Sequence, residues 1–228
     1  MAAKNQSAEI GWRDGAIPVS LRFDDPYFSL ADGLAETRHV FLAGNGLPER
    51  FSPGFRIAEL GFGTGLNLLA SLIAWEASGT AGTLHYTSFE AFPMTAADME
   101  RALAAFPEAA ARAGPLLAAW AGGARRFRLG TVAVEIVEGD ARDTLALWPG
   151  QADAWFLDGF SPARNPEMWG EGLMAGVARH TAPGGTFATY TAAGFVRRGL
   201  QAAGFPVERI PGHGHKRHMT RGRMGGTC

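Results

Sequence analysis

A chain of 228 residues, 46% hydrophobic and 19% charged, has the length of one α/β domain with embellishments, and its composition excludes a disordered or collagen-like chain. Net charge is -1, which by itself argues against a polyanion partner, but the charge is unevenly spread. Residues 195–228 hold seven of the 21 basic residues (Arg197, Arg198, Arg209, Lys216, Arg217, Arg221, Arg223) against Glu208 alone, so the other 194 residues carry a net negative charge. Such asymmetry suits a polyanion docked on one face, and equally a solvated basic tail.

In chain order, Val19, Leu21 and Phe23 alternate with polar residues, which predicts a half-buried strand ending at the Asp25-Pro26 turn. A short helix is expected over 34–42, stopped by Gly44-Asn45-Gly46. From Arg56 the pattern turns to strand and helix in alternation. It runs as a strand over 56–60, a glycine turn over 61–65, a helix over 66–77, a strand over 84–89 and Ala-rich helices over 95–120. A hairpin over 126–137 follows, then a strand over 154–157, a helix capped by Asn165 with Pro166 at its first position, a strand over 185–190, a helix over 195–203 and a strand pair over 207–219. Repeated βα units imply a doubly wound, mostly parallel sheet with an antiparallel C-terminal strand and an N-terminal β/α extension. The expected division is an extension over 1–53, packed on the cofactor and substrate side, and a main domain over 54–228.

The lone cysteine, Cys228, excludes an internal disulfide and a multi-cysteine zinc site. The first twenty residues lack an apolar h-region and no apolar run approaches about eighteen residues, so a cytoplasmic protein with no membrane partner is expected. His213, His215 and His218 have neither carboxylate nor cysteine beside them, so no metal site is expected.

Chemistry concentrates in two places. Glu59-Leu60-Gly61-Phe62-Gly63-Thr64-Gly65 stands where the first strand of the alternation gives way to a helix. Glycines there allow a tight turn and let a ligand lie on bare backbone. The spacing differs from the G-x-G-x-x-G of dinucleotide binding, and an acid before the glycines suits a cationic ligand such as a sulfonium better than a pyrophosphate. Glu90 ends the next strand, where doubly wound folds place an acid on ribose hydroxyls. Asp140 suits two roles, a helix cap and a cofactor contact. The second place is Asp158-Gly159-Phe160-Ser161-Pro162, an acid at the carboxyl end of an apolar strand, facing the crevice where open α/β sheets bind ligands. A purely local role for Asp158, bonding the loop backbone, fits the sequence too.

The first motif resembles E/D-x-G-x-G-x-G of the class I S-adenosylmethionine-dependent methyltransferases. The resemblance implies that Gly61 and Gly63 pass beneath the methionine part of S-adenosylmethionine, that Glu90 holds the ribose and that Asp140 sits near the adenine. Glu59, Phe62, Gly65 and Asn67 are further candidate cofactor neighbours, and Tyr27 and Asn45 are candidates to close the pocket from the N-terminal segment. Longer strings, Phe23-Asp24-Asp25 with Tyr27-Phe28-Ser29, Gly33 to Thr37, Gly44-Asn45, Glu59 to Asn67, Trp155 to Pro162, Asn165 to Trp169 and Gly185 to Gly199, resemble the methyltransferase half of the MnmC proteins and the stand-alone MnmD proteins. That resemblance implies methylation of the aminomethyl group of a tRNA wobble uridine. The anticodon stem-loop would be the partner, with a separate FAD-dependent oxidoreductase as a further one, because the flavin half of MnmC has no counterpart in these 228 residues.

Methyl transfer to an amine needs a neutral nucleophile. An alkylamine near pKa ~10.4 costs on the order of 4 to 5 kcal/mol to deprotonate at pH 7. Asp158 is expected to orient the amine and take the proton, with burial lifting its own pKa. Phe160, Trp169 and Phe195 are candidates to stack a flipped uracil, and Arg197, Arg198, Lys216 and Arg217 to meet RNA phosphates.

Overall fold

The computed structural model describes residues 7–28 and 32–225, so Cys228 and Ser29 lie outside the described residues. The chain opens with a small antiparallel sheet, β1 (Ile10–Arg13), β2 (Ile17–Ser20) and β3 (Asp25–Pro26). The strand expected through Phe23 stops at Ser20: Asp24 adopts φ 48 and Leu21 is 62% exposed, so residues 21–24 form a turn. β1 was not legible, because Ile-Gly-Trp-Arg lacks the period-two alternation that marks a strand.

α1 (Gly33–Thr37) is capped by Asp32, whose carboxylate accepts from the Ala35 N–H. It continues through a wide π turn over Arg38–Leu42 and a 3-10 turn over Ala43–Asn45, ending at left-handed Gly46. The main alternation then begins: β4 (Arg56–Leu60), α2 (Leu66–Ser78), β5 (Leu84–Glu90), α3 (Ala96–Leu103), α4 (Pro107–Ala121), β6 (Arg126–Leu129), β7 (Val132–Glu138) and α5 (Ala141–Thr144). β8 (Ala152–Leu157), α6 (Glu171–Arg179), β9 (Thr181–Thr189), α7 (Gly194–Ala202), β10 (Val207–Pro211) and β11 (His218–Arg223) complete it. Asn165 makes no side-chain cap: Pro166–Trp169 is a 3-10 turn, and the helix proper starts later, after Gly170.

Eight strands form one sheet in the order β10-β11-β9-β8-β4-β5-β7-β6. β9, β8, β4, β5 and β7 run parallel, while β6 and the β10–β11 pair are antiparallel. From β4 the chain moves to β5 and β7, then returns to pair β8 with the other side of β4, so the strand order reverses between β4 and β8. In open α/β sheets the crevice at that reversal takes the ligand.

The core lies on both faces, and β8 shows why the sequence specifies it. Ala154 and Phe156 pack with Ile57, Leu68, Leu69 and Tyr86 on one face, and Trp155 and Leu157 with Phe89, Met174 and Phe187 on the other. All four β8 side chains are fully buried, as a central parallel strand requires. The N-terminal segment shares the first of these clusters through Leu34, Val40, Phe41, Leu42 and Leu47. Among the described residues, no helix is long and apolar enough to cross a membrane.

Candidate active site

The loops after β4 and β8 touch backbone to backbone. A Cβ on Gly61 would lie 3.1 Å from Gly159 Cα and 3.2 Å from its nitrogen, and Gly61 adopts φ +81, so two independent constraints select glycine. Gly63, φ +54, has Tyr27 against it, and Gly65, φ +80, has Leu116 and Phe62. Around these loops opens a cavity of about 910 Å³, lined by the β4, β5 and β8 loop ends, by α1 and the N-terminal segment, and by the β10–β11 loop.

Three acids end three adjacent strands, and each has a different environment. Glu59 is fully buried and lies outside the cavity lining. Its carboxylate accepts from Ser88 Oγ (2.6 Å) and Asn67 Nδ2 (2.8 Å), and burial holds its pKa well above the carboxylate range. The expected direct contact with a cationic ligand is therefore corrected: Glu59 orients Asn67. That amide is fully used, since its other N–H donates to Asp158 Oδ2 (2.8 Å) and its oxygen accepts from Thr37 Oγ1 (2.8 Å). Glu90 lines the cavity and accepts from the backbone N–H groups of Gly63 (2.9 Å) and Phe92 (2.7 Å), which locks the glycine turn. Burial raises its pKa, opposed by those N–H groups.

Asp158 sits one residue beyond β8 and faces the cavity. Burial pushes its pKa up to about 6, opposed by the Gly159 N–H, the Asn67 amide and the Lys216 ammonium. A carboxylate with that pKa is ionised near neutrality yet close to accepting a proton, the range in which a general base is effective.

Phe160 is held from the N-terminal side. Phe23 stacks on it (centroids 4.6 Å, 25°), Tyr27 meets it edge-on (5.0 Å), and Asp25 accepts the Ser161 N–H (2.7 Å). Trp169 does not line the cavity: it is buried and donates its indole N–H to the Phe160 carbonyl (2.9 Å), so it buttresses the loop instead of stacking a base. Asn45 is corrected likewise. It is 1% exposed, donates to the carbonyls of Phe41 and Trp155 and accepts from Thr186 Oγ1, pinning the end of the N-terminal helical run to β8 and β9. Gly65 contributes packing and not lining. Phe62 does line the cavity, stacked on Trp120 at 5.0 Å, and so do Tyr27 and Asn67. Asp140 fills its cap role, accepting the Arg142 N–H, and also lines the cavity, paired with Arg142 at 2.6 Å. Phe195, Arg197, Arg198 and Arg217 lie outside the lining, whereas Lys216 is part of it. Among the described residues, no group of three or more His, Cys, Asp or Glu side chains is arranged to hold a metal ion.

Sequence reasoning missed Phe23, Glu36 and Tyr190 as cavity residues. All three stand in strings that carry the family resemblance, but nothing in their local spacing sets them apart from core residues.

A family model described as S-adenosyl-L-methionine-dependent methyltransferase matches residues 107–225, more than half of the chain. The chain belongs to that family. The matched stretch of this methyltransferase contains Asp140 and the Asp158 loop but begins after the glycine turn and Glu90. Similarity to curated relatives covers those as well. The chain is 47% identical over 230 residues to the "tRNA 5-methylaminomethyl-2-thiouridine biosynthesis bifunctional protein MnmC" of Stutzerimonas stutzeri (strain A1501), covering 96% of this chain and 35% of that protein. It is 48% identical over 226 residues to the protein of the same name from Chromobacterium violaceum, covering 94% and 34%. The methyltransferase thus spans about a third of the length of the curated relatives it matches. Among solved structures, MNMC2 from Aquifex aeolicus superposes with a TM-score of 0.75 at 23% identity, over 98% of this chain and 72% of that one, which shows a shared fold.

The residues present fit S-adenosylmethionine. A cradle that any Cβ would fill, at Gly61, and an acid at the end of β5 border one cavity. Gly61, Gly63, Phe62, Glu90 and Asp140 line that cavity and would hold the cofactor, with Asn67, fixed by Glu59, beside them.

Proposed function

We propose that this methyltransferase transfers a methyl group to the primary amine of a 5-aminomethyluridine, or its 2-thio form, at the wobble position of tRNA, giving the 5-methylaminomethyl product. The donor supplies an electrophilic methyl carbon on a positively charged sulfur. The acceptor ammonium first gives up a proton, the neutral nitrogen then bonds to that carbon as the carbon–sulfur bond breaks, and the bonding pair leaves with sulfur while the positive charge passes to the nitrogen.

One observation carries the catalytic part: Asp158 is a half-buried carboxylate facing the cavity, its orientation fixed by Asn67 and its pKa pushed up to about 6 by desolvation. It aligns the amine and accepts its proton while the walls of the cavity exclude water. The choice of acceptor rests on the 47–48% identity to proteins named for tRNA 5-methylaminomethyl-2-thiouridine biosynthesis. Phe160 bears on the uracil with the ring face that Phe23 leaves uncovered. Lys216 stands at the cavity mouth with its ammonium on Glu36, and Arg197, Arg198 and Arg217 beyond it face the anticodon stem-loop. The aminomethyl acceptor must be produced by another activity, for which a separate FAD-dependent oxidoreductase is the proposed partner.

The test is transfer of labelled methyl from S-adenosylmethionine to tRNA isolated from cells that cannot complete this modification. Label in the wobble nucleoside as the 5-methylaminomethyl form is expected. Label absent from tRNA, despite bound donor, would remove the acceptor assignment.

A further inference from the structure

Lysine is scarce in this chain. Of 21 basic residues only Lys4 and Lys216 are lysines, and Lys216 is the one that lies within the described residues. It stands in the turn between β10 and β11, which is closed by Gly212 N–H to Arg217 carbonyl (3.1 Å) and Lys216 N–H to His213 carbonyl (3.0 Å). From that exposed turn its side chain reaches into the cavity. Its ammonium lies 2.7 Å from Glu36 Oε1 and 4.0 Å from the centre of the Tyr190 ring.

Glu36 is only 8% exposed, and Lys216 is the partner its carboxylate has among the described residues. A carboxylate that buried requires a cation, because leaving the charge unpaired costs several kcal/mol. Tyr190 is fixed, its hydroxyl donating to the Gly159 carbonyl at 2.8 Å, so its ring face is a permanent wall of the cavity beside the Asp158 loop. Glu36 is fixed too. The next residue on α1, Thr37, bonds to Asn67, and Asn67 bonds to Asp158. The ammonium of Lys216 acts on Asp158 electrostatically, and so does the carboxylate of Glu36, which places all three charges in one pocket.

A carboxylate, an aromatic face and a second carboxylate form a receptor for a primary alkylammonium. The acceptor amine proposed above is a primary alkylammonium, and so is the lysine side chain. An arginine, the basic residue this chain uses almost everywhere else, has neither that shape nor that charge density. We infer that Glu36 and Tyr190 bind the aminomethyl group of the acceptor, and that Lys216 occupies their site in the free protein and is displaced when the acceptor enters. This inference rests on the acceptor reading above. Glu36 and Tyr190 then select for an amine over an uncharged substituent on the uracil, and the exchange of one ammonium for another leaves Glu36 paired throughout. Once the lysine has left, the incoming ammonium lies between Glu36 and Asp158, gives one proton to Asp158 so that its freed lone pair can attack the methyl carbon, and regains positive charge beside Glu36 as the carbon–nitrogen bond forms.

The test is calorimetric titration of two probes, the nucleosides 5-aminomethyluridine and uridine, into full-length protein saturated with S-adenosylhomocysteine. Wild type, Glu36→Gln and Lys216→Met are compared. Wild type is expected to prefer the aminomethyl nucleoside. Glu36→Gln is expected to lose roughly tenfold or more of that preference, the worth of a charge-assisted hydrogen bond, with S-adenosylmethionine affinity retained as the check on folding. Lys216→Met is expected to bind the aminomethyl nucleoside several-fold more tightly than wild type, with uridine unaffected.

A wild type without amine preference, or a Glu36→Gln protein that keeps it, overturns the inference. A Glu36→Gln protein that loses S-adenosylmethionine binding overturns it too, by assigning Glu36 to the donor. If Lys216→Met weakens nucleoside binding, the lysine is a substrate contact and not a stand-in. Methyl transfer to tRNA by wild type bears on the acceptor reading alone, so a protein that methylates tRNA while Glu36→Gln keeps its preference would end this inference and leave that reading intact.

Discussion

Asp158 has conflicting demands placed on it, and the conflict makes its role measurable. Its carboxyl titrates near 6 in the folded protein against 3.8 as an ordinary aspartate, because burial disfavours its charge. A folded pKa above the unfolded one means that folding takes up protons. The stability lost to ionisation is therefore smallest at low pH and grows as pH rises through the 3.8 to 6 window, reaching about 3 kcal/mol above it and only about 1 kcal/mol at pH 4.5. Asp158→Asn is expected to raise the unfolding free energy at pH 8, with the gain shrinking as pH falls toward 4.5. Denaturant titration at the two pH values checks this. The same variant should lose roughly 10²- to 10⁴-fold in single-turnover methyl transfer. Wild-type transfer should fall about tenfold per pH unit below 6 as the base is protonated, and an inflection near 6 that survives in Asp158→Asn would take the carboxylate out of the reaction.

Also at this scale, Gly61→Ala adds a methyl 3.1 Å from the Gly159 backbone at a positive φ. The strain of that φ alone is about 1–2 kcal/mol. A weakened affinity for S-adenosylmethionine is expected by calorimetry, because the two loops that cradle it must part. The spacing of Gly61, Glu90 and Asp158 was legible because each ends a strand at the sheet edge where ligands bind. Glu59 was not read correctly. An acid before the glycines looks ligand-facing in sequence, but the period of two in β4 turns it to the same face as Ile57, under α2, where Asn67 and Ser88 satisfy it.

Among the elements, those with strong periodicity or clear punctuation were legible to within a few residues. β4 and its following helix, β5, the β6–β7 hairpin and β8 all fall where glycine turns and apolar runs placed them. α1 and the π turn after it were read as one helix over 34–42, and the departure from α geometry and the 3-10 turn that ends the run go with contacts far along the chain. Asn45 and Arg50 tie this segment to the sheet. Arg50 donates to the Asn45 carbonyl, to Thr186 Oγ1 and to the Asp153 carbonyl, while Asn45 bonds to Trp155 and Thr186. Apart from the Arg50–Asn45 bond, these are separations of more than 100 residues, which no local window contains. Asn45→Ala leaves buried polar groups of Trp155 and Thr186 without this partner, at a cost of about 1–3 kcal/mol. A lower denaturation midpoint is expected, with S-adenosylmethionine affinity close to wild type, since the side chain lies behind the strands and outside the cavity. A selective loss of cofactor affinity with unchanged stability would return Asn45 to the site.

For the whole molecule the question is how a chain of net charge -1 would dock the polyanion proposed as its acceptor. Segregation of charge supports that reading. The β10–β11 turn that carries Lys216 and exposed Arg217 stands at the mouth of the cavity, and exposed Arg198 lies on α7. Among the described residues neither Arg198 nor Arg217 has an ion-pair partner, whereas Arg142, Arg125 and Arg126 are neutralised by acids beside them. Arg125 and Arg126 are thus spent on pairing within the β6–β7 hairpin and its neighbours. The tRNA affinity is therefore expected to depend on few phosphate contacts. If Arg198 and Arg217 each neutralise one phosphate, the slope of log affinity against log salt should become shallower by about 0.7 to 0.9 for each arginine replaced by alanine, while transfer to the isolated nucleoside stays unaltered. Replacing Arg126, already paired with Glu135 on the outermost strand, should leave the slope where it was. A steeper response to Arg126→Ala than to Arg217→Ala would move the RNA to the opposite edge of the sheet, away from the cavity mouth, where a wobble base could not reach Asp158.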